Sequence, residues 1–252
     1  MKLVLASGSQ RRRELLTMCG YDYEIIVSNA DETIDESDPE SFVRALSLRK
    51  AKEVFDRLFA AGRRNFAVIG SDTVVAFQKD GETKPVIIGK PKDAKDAVRI
   101  LSMLSGKTHR VFTGVSVIAD ISDENADAAQ CSIRNREEIQ TGCSIQEKAE
   151  VQTECSITEV TFETLSPDEI ADYVNSGDPL DKAGSYGIQG PFGMFVREIR
   201  GNYFTVIGMP IPVLYKMLKK IGILPHGFYE RIQQSEGELT LPYAAIRRCR
   251  TL

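Results

Sequence analysis

The chain has 252 residues, 42% hydrophobic and 27% charged, which is the composition of a soluble globular protein with about one large domain. Acidic residues (36) outnumber basic residues (32), and the net charge of −4 argues against a non-specific nucleic-acid binder with a basic face. The chain has no apolar run of membrane-spanning length and no apolar N-terminal stretch long enough for a signal peptide, so we expect a cytoplasmic protein without membrane segments.

Short apolar runs and helical periodicity alternate through the first half of the chain. The apolar runs predict strands at 2–6, 23–28, 66–70, 74–77 and 86–88. The helical periodicity predicts helices at 10–18, 39–60 and 93–105. This alternation predicts an α/β fold, with a mostly parallel or mixed sheet covered by helices.

The second half adds a strand at 110–119 and two helices. Ser166-Pro167-Asp168-Glu169 has the pattern of a capping box with proline at the first helical position, and it opens a helix to Asn175. Residues 194–199 and 203–208 have the pattern of a strand hairpin around Arg200-Gly201-Asn202, and 211–220 is predicted as the last core helix.

A sequence repeat with a period of 12 residues interrupts this half. Residues 131–142 read CSIRNREEIQTG, 143–154 read CSIQEKAEVQTE, and a third copy begins at Cys155. A cysteine-lined metal or partner surface is one interpretation. A tandem duplication that lengthens a loop or hairpin is the favoured one, since cysteines spaced in this way do not form a metal-ligand pattern.

The amino-acid content limits the chemistry that the chain can perform. Two histidines exclude a three-histidine zinc site, and five cysteines without a Cys-x-x-Cys motif argue against zinc knuckles and structural disulfides. Catalysis must then depend mainly on carboxylates, lysines and arginines, a set that suits phosphate chemistry with a hard divalent cation.

The segment from Ser7 to Arg13 follows the first predicted strand and opens the first helix. Free backbone N–H groups and the helix dipole favour an anion there, and the forked guanidinium groups of Arg11 and Arg12 match phosphate oxygens in pairs. Because successive helical residues are rotated by about 100°, only one or two of the three arginines can face a ligand. A solvated basic helix start is the alternative, but it opposes the dipole.

Three further segments carry candidate site residues. Asp72 lies between two strand-like runs, where a carboxylate is either a metal ligand or general base, or only caps a turn. Lys50 falls on an apolar stripe of the second helix, and either reaches solvent or points into a pocket toward a phosphate. Lys90 lies in a Gly-Lys-Pro turn, and a glycine-rich loop at 177–190 contains Gln189, whose amide could recognise the edge of a base.

Five motifs in this order make the chain resemble the Maf family of nucleoside triphosphate pyrophosphatases, from about Lys2 to Ile221. They are Ser-x-Ser-x-Arg-Arg from Ser7, Ser-Asp-Thr-Val-Val from Ser71, Gly-Lys-Pro from Gly89, Leu-Ser-Gly-Lys-Thr-His from Leu104, and Asp-Lys-Ala-Gly-x-Tyr-Gly-Ile-Gln-Gly from Asp181. The resemblance implies an elongated mixed β-sheet flanked by helices with a central cleft, a Maf or ITPase-like fold. It covers residues 1–222, apart from an insert at about 121–154, and leaves 223–252 as an extension.

The resemblance also implies an activity and roles for individual residues. Water attacks a nucleoside triphosphate and gives a nucleoside monophosphate and pyrophosphate, with Mg²⁺ or Mn²⁺ required. Asp72 falls on the catalytic acid/base position, and the phosphate- and substrate-contacting positions are Ser7, Arg11, Arg12, Lys50 and Lys90. Asp31-Glu32 matches an acidic pair, so Asp72 and Glu32 are candidate metal ligands. A homodimer is expected.

Three positions assign the chain to one branch of the family. The branch that acts on 7-methyl-GTP typically has Trp, Gln and Glu where this chain has Arg11, Thr73 and Gln189, so the chain resembles the dTTP/UTP branch, which clears excess or non-canonical nucleotides. Gln10 departs from the proline usual at that position. A nucleotide-binding regulator of cell division, with incidental hydrolysis, is the alternative function.

Overall fold

The computed structural model of the protein describes residues 1–78, 81, 84–121 and 149–226. The strands in this part of the chain are β1 (Lys2–Leu5), β2 (Tyr23–Ile25), β3 (Phe66–Phe77), β4 (Val86–Ile88), β5 (Thr108–Asp120), β6 (Ala149–Phe162) and β7 (Val196–Arg200). Its α-helices are α1 (Gln10–Met18), α2 (Pro39–Ala60), α3 (Ala94–Leu104), α4 (Pro167–Asn175), α5 (Tyr203–Ile207) and α6 (Ile211–Lys220). Within these ranges, no helix is both long enough and apolar enough to cross a membrane.

The strands form a single mixed sheet, as the sequence predicts. Their order is β2-β1-β3-β5-β6-β7, and β4 pairs with β3 on the same side as β1. β1 is parallel to β2 and to β3, and α1 and α2 provide the crossover connections that parallel pairing requires. The other pairs are antiparallel, and β5 is hydrogen-bonded to β3 and β6 over most of its length.

One edge of β3 is left open in its middle, and this opening positions the functional site. On that edge β1 pairs with Phe66–Ile69 and β4 pairs with Val75–Phe77. The segment between them, residues 70–74, has no strand partner on that side among the described residues. The backbone of Asp72 therefore belongs to a central strand and is held through Gly114 of β5, while its other edge has no strand partner among the described residues.

Helix α2 lies directly on this central region, because two glycines remove the side chains that would hold it away. A Cβ atom at Gly70 would lie 2.2 Å from the carbonyl oxygen of Ser47, and one at Gly114 would lie 2.1 Å from that of Val43. No side chain fits at either contact, so only glycine allows this approach of helix to sheet. The close packing brings Lys50, one turn along α2 from Leu46, against β3.

The two faces of the sheet bury different sets of side chains, as the period of two in a strand requires. Val4 and Val68 pack under α2 with Phe55, whereas Leu5 and Ile69 point to the opposite face. That opposite face is covered by two groups of helices. Residues of α1 and α6 cover one end of it, and residues of α3 and α4 cover the other.

The helix ends follow the predicted capping rules. The Ser166 side chain accepts the Glu169 N–H at 3.3 Å, and the Glu169 carboxylate accepts the Ser166 N–H at 2.7 Å, so the expected capping box is confirmed. Asp38 caps α2 in a similar way, by accepting the N–H of Ser41 at 2.9 Å.

Two sequence-based expectations are wrong. Residues 203–208 do not form the second strand of a hairpin; Tyr203–Ile207 is helix α5, because the Asn202 side chain caps its first turn and Gly208, with φ of 109°, ends it. The residues around Asp72 are not a break between two strands, since β3 runs through them without interruption. A turn-capping role for Asp72 is thereby excluded.

The repeat and the C-terminal extension lie largely outside the described residues. The final six residues of the repeat segment, 149–154, form the first part of β6 and pair with β5. Of the extension, residues 223–226 return toward the start of the chain, and the His226 N–H donates to the Gly20 carbonyl at 2.9 Å.

A buried histidine of β5, His109, gives a first prediction, which concerns the stability of the fold. His109 is 2% exposed, its Nε2 lies 3.0 Å from the Tyr186 hydroxyl, and its Nδ1 has no hydrogen-bond partner among the described residues. Burial lowers its pKa from 6.5 to about 3. Between these values the unfolded chain binds a proton that the folded chain does not, so the stability contribution is lost as the pH falls.

We expect wild type to lose about 2 kcal/mol more unfolding free energy than His109→Gln between pH 7 and pH 5, since one pKa unit corresponds to about 1.4 kcal/mol. Glutamine keeps a hydrogen-bonding group near Tyr186 but does not titrate. Urea unfolding at both pH values measures the difference, and parallel pH dependence in the two proteins would contradict it.

Candidate active site

A cleft of about 640 Å³ opens beside the middle of β3, and Asp72, Thr73, Val74 and Val75 are among its lining residues. Its lining is rich in charge, with basic side chains in excess over carboxylates. The basic side chains are Arg11, Arg12, Lys50, Lys90 and Lys182, and the carboxylates are Glu32, Asp72 and Asp181. Such a surface attracts a polyanion while keeping carboxylates available for acid–base or metal chemistry.

Ser7 and Arg12 form the wall at the end of β1. Arg12 Nη1 donates to the Ser7 Oγ at 3.0 Å, and its Nε donates to the Gly208 carbonyl at 2.9 Å. The same carbonyl accepts the Ser71 hydroxyl at 3.0 Å, which ties the arginine to the central strand. Burial lowers the pKa of Arg12, although Asp72 opposes this effect. The guanidinium group is therefore held in one orientation before any ligand binds.

The three consecutive arginines point in different directions, as helix geometry predicts. Arg11 and Arg12 line the cleft and Arg13 does not. Arg11 Nη1 lies 3.1 Å from a carboxylate oxygen of Asp181, in the glycine-rich loop. The backbone carbonyl of Arg13 accepts the Tyr23 hydroxyl at 2.9 Å.

Lys50 lies between the two candidate metal ligands, the buried Asp72 and the exposed Glu32. Its Nζ lies 2.7 Å from Asp72 Oδ1 and 2.8 Å from Glu32 Oε1. The side chains of Lys50 and Asp72 are only 11% and 13% exposed, which rules out the solvent-directed orientation that long lysines usually adopt. Burial raises the pKa of Glu32, but the hydrogen bond and charge of Lys50 outweigh it and keep the pKa below its usual value.

The remaining predicted residues lie around the opening. Lys90 follows β4 and is exposed, and Gln189 is exposed on the glycine-rich loop opposite. The Thr73 hydroxyl lies 3.0 Å from that of Thr113, whose hydroxyl donates to the Thr205 carbonyl at 2.7 Å. Thr73 is thereby fixed by β5 and α5.

All the candidate site residues identified in the sequence line this one cleft, except Asp31. The Asp31 carboxylate instead accepts the Thr33 N–H at 2.9 Å and is exposed. The sequence did not indicate that Lys50 pairs with Asp72, nor that Phe42, Leu46 and Ile207 form apolar parts of the lining. The position of Lys50 on an apolar stripe of the second helix was the available signal for its pairing with Asp72. The position of Leu46 on that stripe was a signal for part of the apolar lining.

The fit of a divalent cation depends on Asp72 and Glu32. Among the described residues, no group of three or more His, Cys, Asp or Glu is arranged to hold a metal ion. Two hard carboxylates nevertheless converge on Lys50 in the cleft. Because Mg²⁺ is commonly held by one or two carboxylates together with substrate phosphates, these residues fit a cation that binds with a polyphosphate.

Comparisons with known proteins identify relatives that match most of the chain. Residues 2–221 match the family model described as Maf-like protein. The dTTP/UTP pyrophosphatase of Agathobacter rectalis is 38% identical over 230 residues, covering 88% of this chain and 98% of that protein. The protein of the same name from Bacillus thuringiensis subsp. konkukian is 40% identical over 223 residues, covering 88% of this chain and 96% of its own.

Proposed function

The chain belongs to the Maf-like protein family, and we propose that it is a nucleoside triphosphate pyrophosphatase that converts dTTP and UTP to the monophosphates and pyrophosphate. The observation that carries this proposal is the position of Asp72, fixed in a central strand and surrounded by the basic side chains of the cleft. A triphosphate carries about four negative charges at neutral pH, and this excess of cations complements it.

Asp72 acts as the general base that orients and deprotonates the attacking water. Its second carboxylate oxygen is available for this role, since the contact to Lys50 uses Oδ1. Lys50 holds the carboxylate in place and adds positive charge where the phosphate charge develops. The water oxygen bonds to phosphorus, the α–β bridging bond breaks, and the electron pair leaves with pyrophosphate.

Ser7, Arg11, Arg12 and Lys90 stabilise the phosphate charges. Arg12 is already oriented by Ser7 and Gly208, so little reorganisation is needed when negative charge accumulates on the leaving group. Lys90 and Arg11 also line the cleft. A helix N-terminus follows Ser9, where the unpaired backbone N–H groups favour a phosphate.

A divalent cation, Mg²⁺ or Mn²⁺, is the proposed cofactor, with Asp72 and Glu32 as its protein ligands. When bound, it would neutralise part of the phosphate charge. Glu32 is 63% exposed, so its carboxylate can leave Lys50 and turn toward a metal without a large desolvation cost.

We assign base selection to Gln189, together with Arg11 and Thr73, which line the same cleft. The Gln189 amide offers one donor and one acceptor, which match the O4 and N3–H edge of uracil or thymine. A pocket that forms such hydrogen bonds rejects bases that leave its polar groups unpaired.

We therefore expect kcat/KM for ATP and GTP to be at least about 10-fold lower than for dTTP and UTP. Gln189→Glu should lower kcat/KM for the pyrimidine nucleotides specifically, because a carboxylate cannot donate to O4. A panel of the common nucleotides with wild type and Gln189→Glu tests this. The ratio of kcat/KM for dTTP to kcat/KM for ATP serves as the internal control. Equal kcat/KM values for ATP and UTP in wild type would refute the pyrimidine preference.

Further proposals follow from the family resemblance and from the composition and charge of the chain. We expect a homodimer in the cytoplasm that binds no nucleic acid and clears excess or non-canonical nucleotides. A regulator of cell division with incidental hydrolysis is not favoured, since Asp72, Lys50 and Lys90 together supply what turnover needs. Robust turnover of dTTP with Mg²⁺ separates the enzyme from a binding protein.

A further inference from the structure

The cleft contains two kinds of carboxylate–cation pair, and they differ in how readily they can separate. The Asp72–Lys50 pair is buried, with both side chains less than 15% exposed. Asp181, in contrast, is 68% exposed although it contacts two cations of the lining. A water-exposed carboxylate can rotate into solvent at little cost, whereas a buried one leaves an uncompensated charge behind.

The contacts of Asp181 are those that a phosphate group would make. One of its oxygens lies 3.1 Å from Arg11 Nη1, and the other lies 2.7 Å from Lys182 Nζ. Two anionic oxygens shared between a guanidinium and an ammonium group form a typical phosphate-binding arrangement. Arg11 lines the cleft and is 28% exposed, and its guanidinium group donates to the Asp181 carboxylate through Nη1.

The loop that carries Asp181 is held by other contacts. Lys182 Nζ also donates to the backbone carbonyl and the carboxylate of Asp178. The second oxygen of the Asp178 carboxylate accepts the Tyr173 hydroxyl, which itself accepts the Gly187 N–H at 3.1 Å. The loop conformation therefore does not depend on the Asp181 side chain.

We propose that Asp181 is an intramolecular substitute for a substrate phosphate, which occupies Arg11 in the free protein and is displaced when the triphosphate binds. This inference rests on the proposed function, and it adds a residue that sets affinity without taking part in the chemical step. The carboxylate keeps Arg11 oriented between turnovers and competes with pyrophosphate for it, which favours release of the product.

Removal of the competing charge should strengthen binding of the product. We expect Asp181→Asn to bind inorganic pyrophosphate roughly 2- to 5-fold more tightly than wild type, the effect of losing one exposed ion pair. Isothermal titration of the full chain with pyrophosphate and Mg²⁺ measures this directly. Asp181→Ser, which also removes the charge, is measured in parallel and should give the same direction.

Two controls make the result specific. Asp172→Asn changes the charge equally on the exposed side of α4, away from the cleft lining, and should bind like wild type. In the Arg11→Gln background, Asp181→Asn should give a smaller gain. The proposal would be overturned by an equal gain in pyrophosphate affinity from Asp172→Asn. It would also be overturned if Asp181→Asn gave the same gain in the Arg11→Gln background as in wild type.

The remaining outcomes are equally decisive. Unchanged or weaker pyrophosphate binding by both Asp181 variants, in a protein that hydrolyses dTTP, would overturn this inference and leave the proposed function intact. A wild-type protein that neither binds pyrophosphate nor hydrolyses dTTP would overturn both.

Discussion

Asp72→Asn is expected to fold and to bind nucleotide, but to lose about 10²–10⁴ in kcat, the usual effect of removing a general base. Asparagine is nearly isosteric with aspartate and keeps an oxygen that can accept from Lys50. The buried ammonium group of Lys50 therefore retains a hydrogen-bond partner at this position. Asparagine cannot take a proton from water at neutral pH. The loss should therefore appear in kcat with a much smaller change in nucleotide affinity.

The matched control is Asp31→Asn. Asp31 adjoins Glu32 in the sequence but is exposed and does not line the cleft. It should retain nearly full activity, and single-turnover assays on both variants separate chemistry from binding. A kcat of Asp72→Asn close to that of wild type would remove Asp72 from the catalytic position.

The second large effect is expected at Arg12. Arg12→Ala should lower kcat/KM for dTTP, with a loss of about 2–4 kcal/mol of transition-state stabilisation. The reason is that a preoriented, half-buried guanidinium group beside the leaving phosphates is removed. Arg12→Lys should restore only part of this, since an ammonium group cannot make the paired contacts to Ser7 and Gly208 together with the ligand.

Arg13→Ala provides the comparison, because it removes the same charge from the same helix outside the cleft lining. Lys90→Ala should also reduce kcat/KM, but less, since Lys90 is exposed. Similar kcat/KM values for Arg12→Ala and Arg13→Ala would show that the proposed phosphate site is wrong.

Local sequence patterns were sufficient to locate most elements of the fold. Apolar runs located the strands, and capping residues such as Ser166 located helix starts, because these signals act within a few residues. The error at 203–208 has the same origin. Aromatic and β-branched residues there favour a strand, but the Asn202 cap and the turn at Gly208 stabilise one turn of helix instead.

The arrangement of the site depended on contacts between distant parts of the chain. The sequence identified Asp72 and Lys50 separately, but their pairing requires α2 to touch the sheet at Gly70 and Gly114. Similarly, no local pattern reveals that β1 and β4 leave the middle of β3 open. Both features follow from packing and strand order, which are properties of the whole fold.

We propose that this cleft cleaves dTTP between the α and β phosphates, and the products of dTTP hydrolysis identify the bond that is broken. Purified protein is incubated with dTTP and Mg²⁺, and the nucleotides and phosphates are separated by anion-exchange chromatography, with Asp72→Asn as the inactive control. We expect dTMP and pyrophosphate in equal amounts. Release of dTDP and orthophosphate would contradict it.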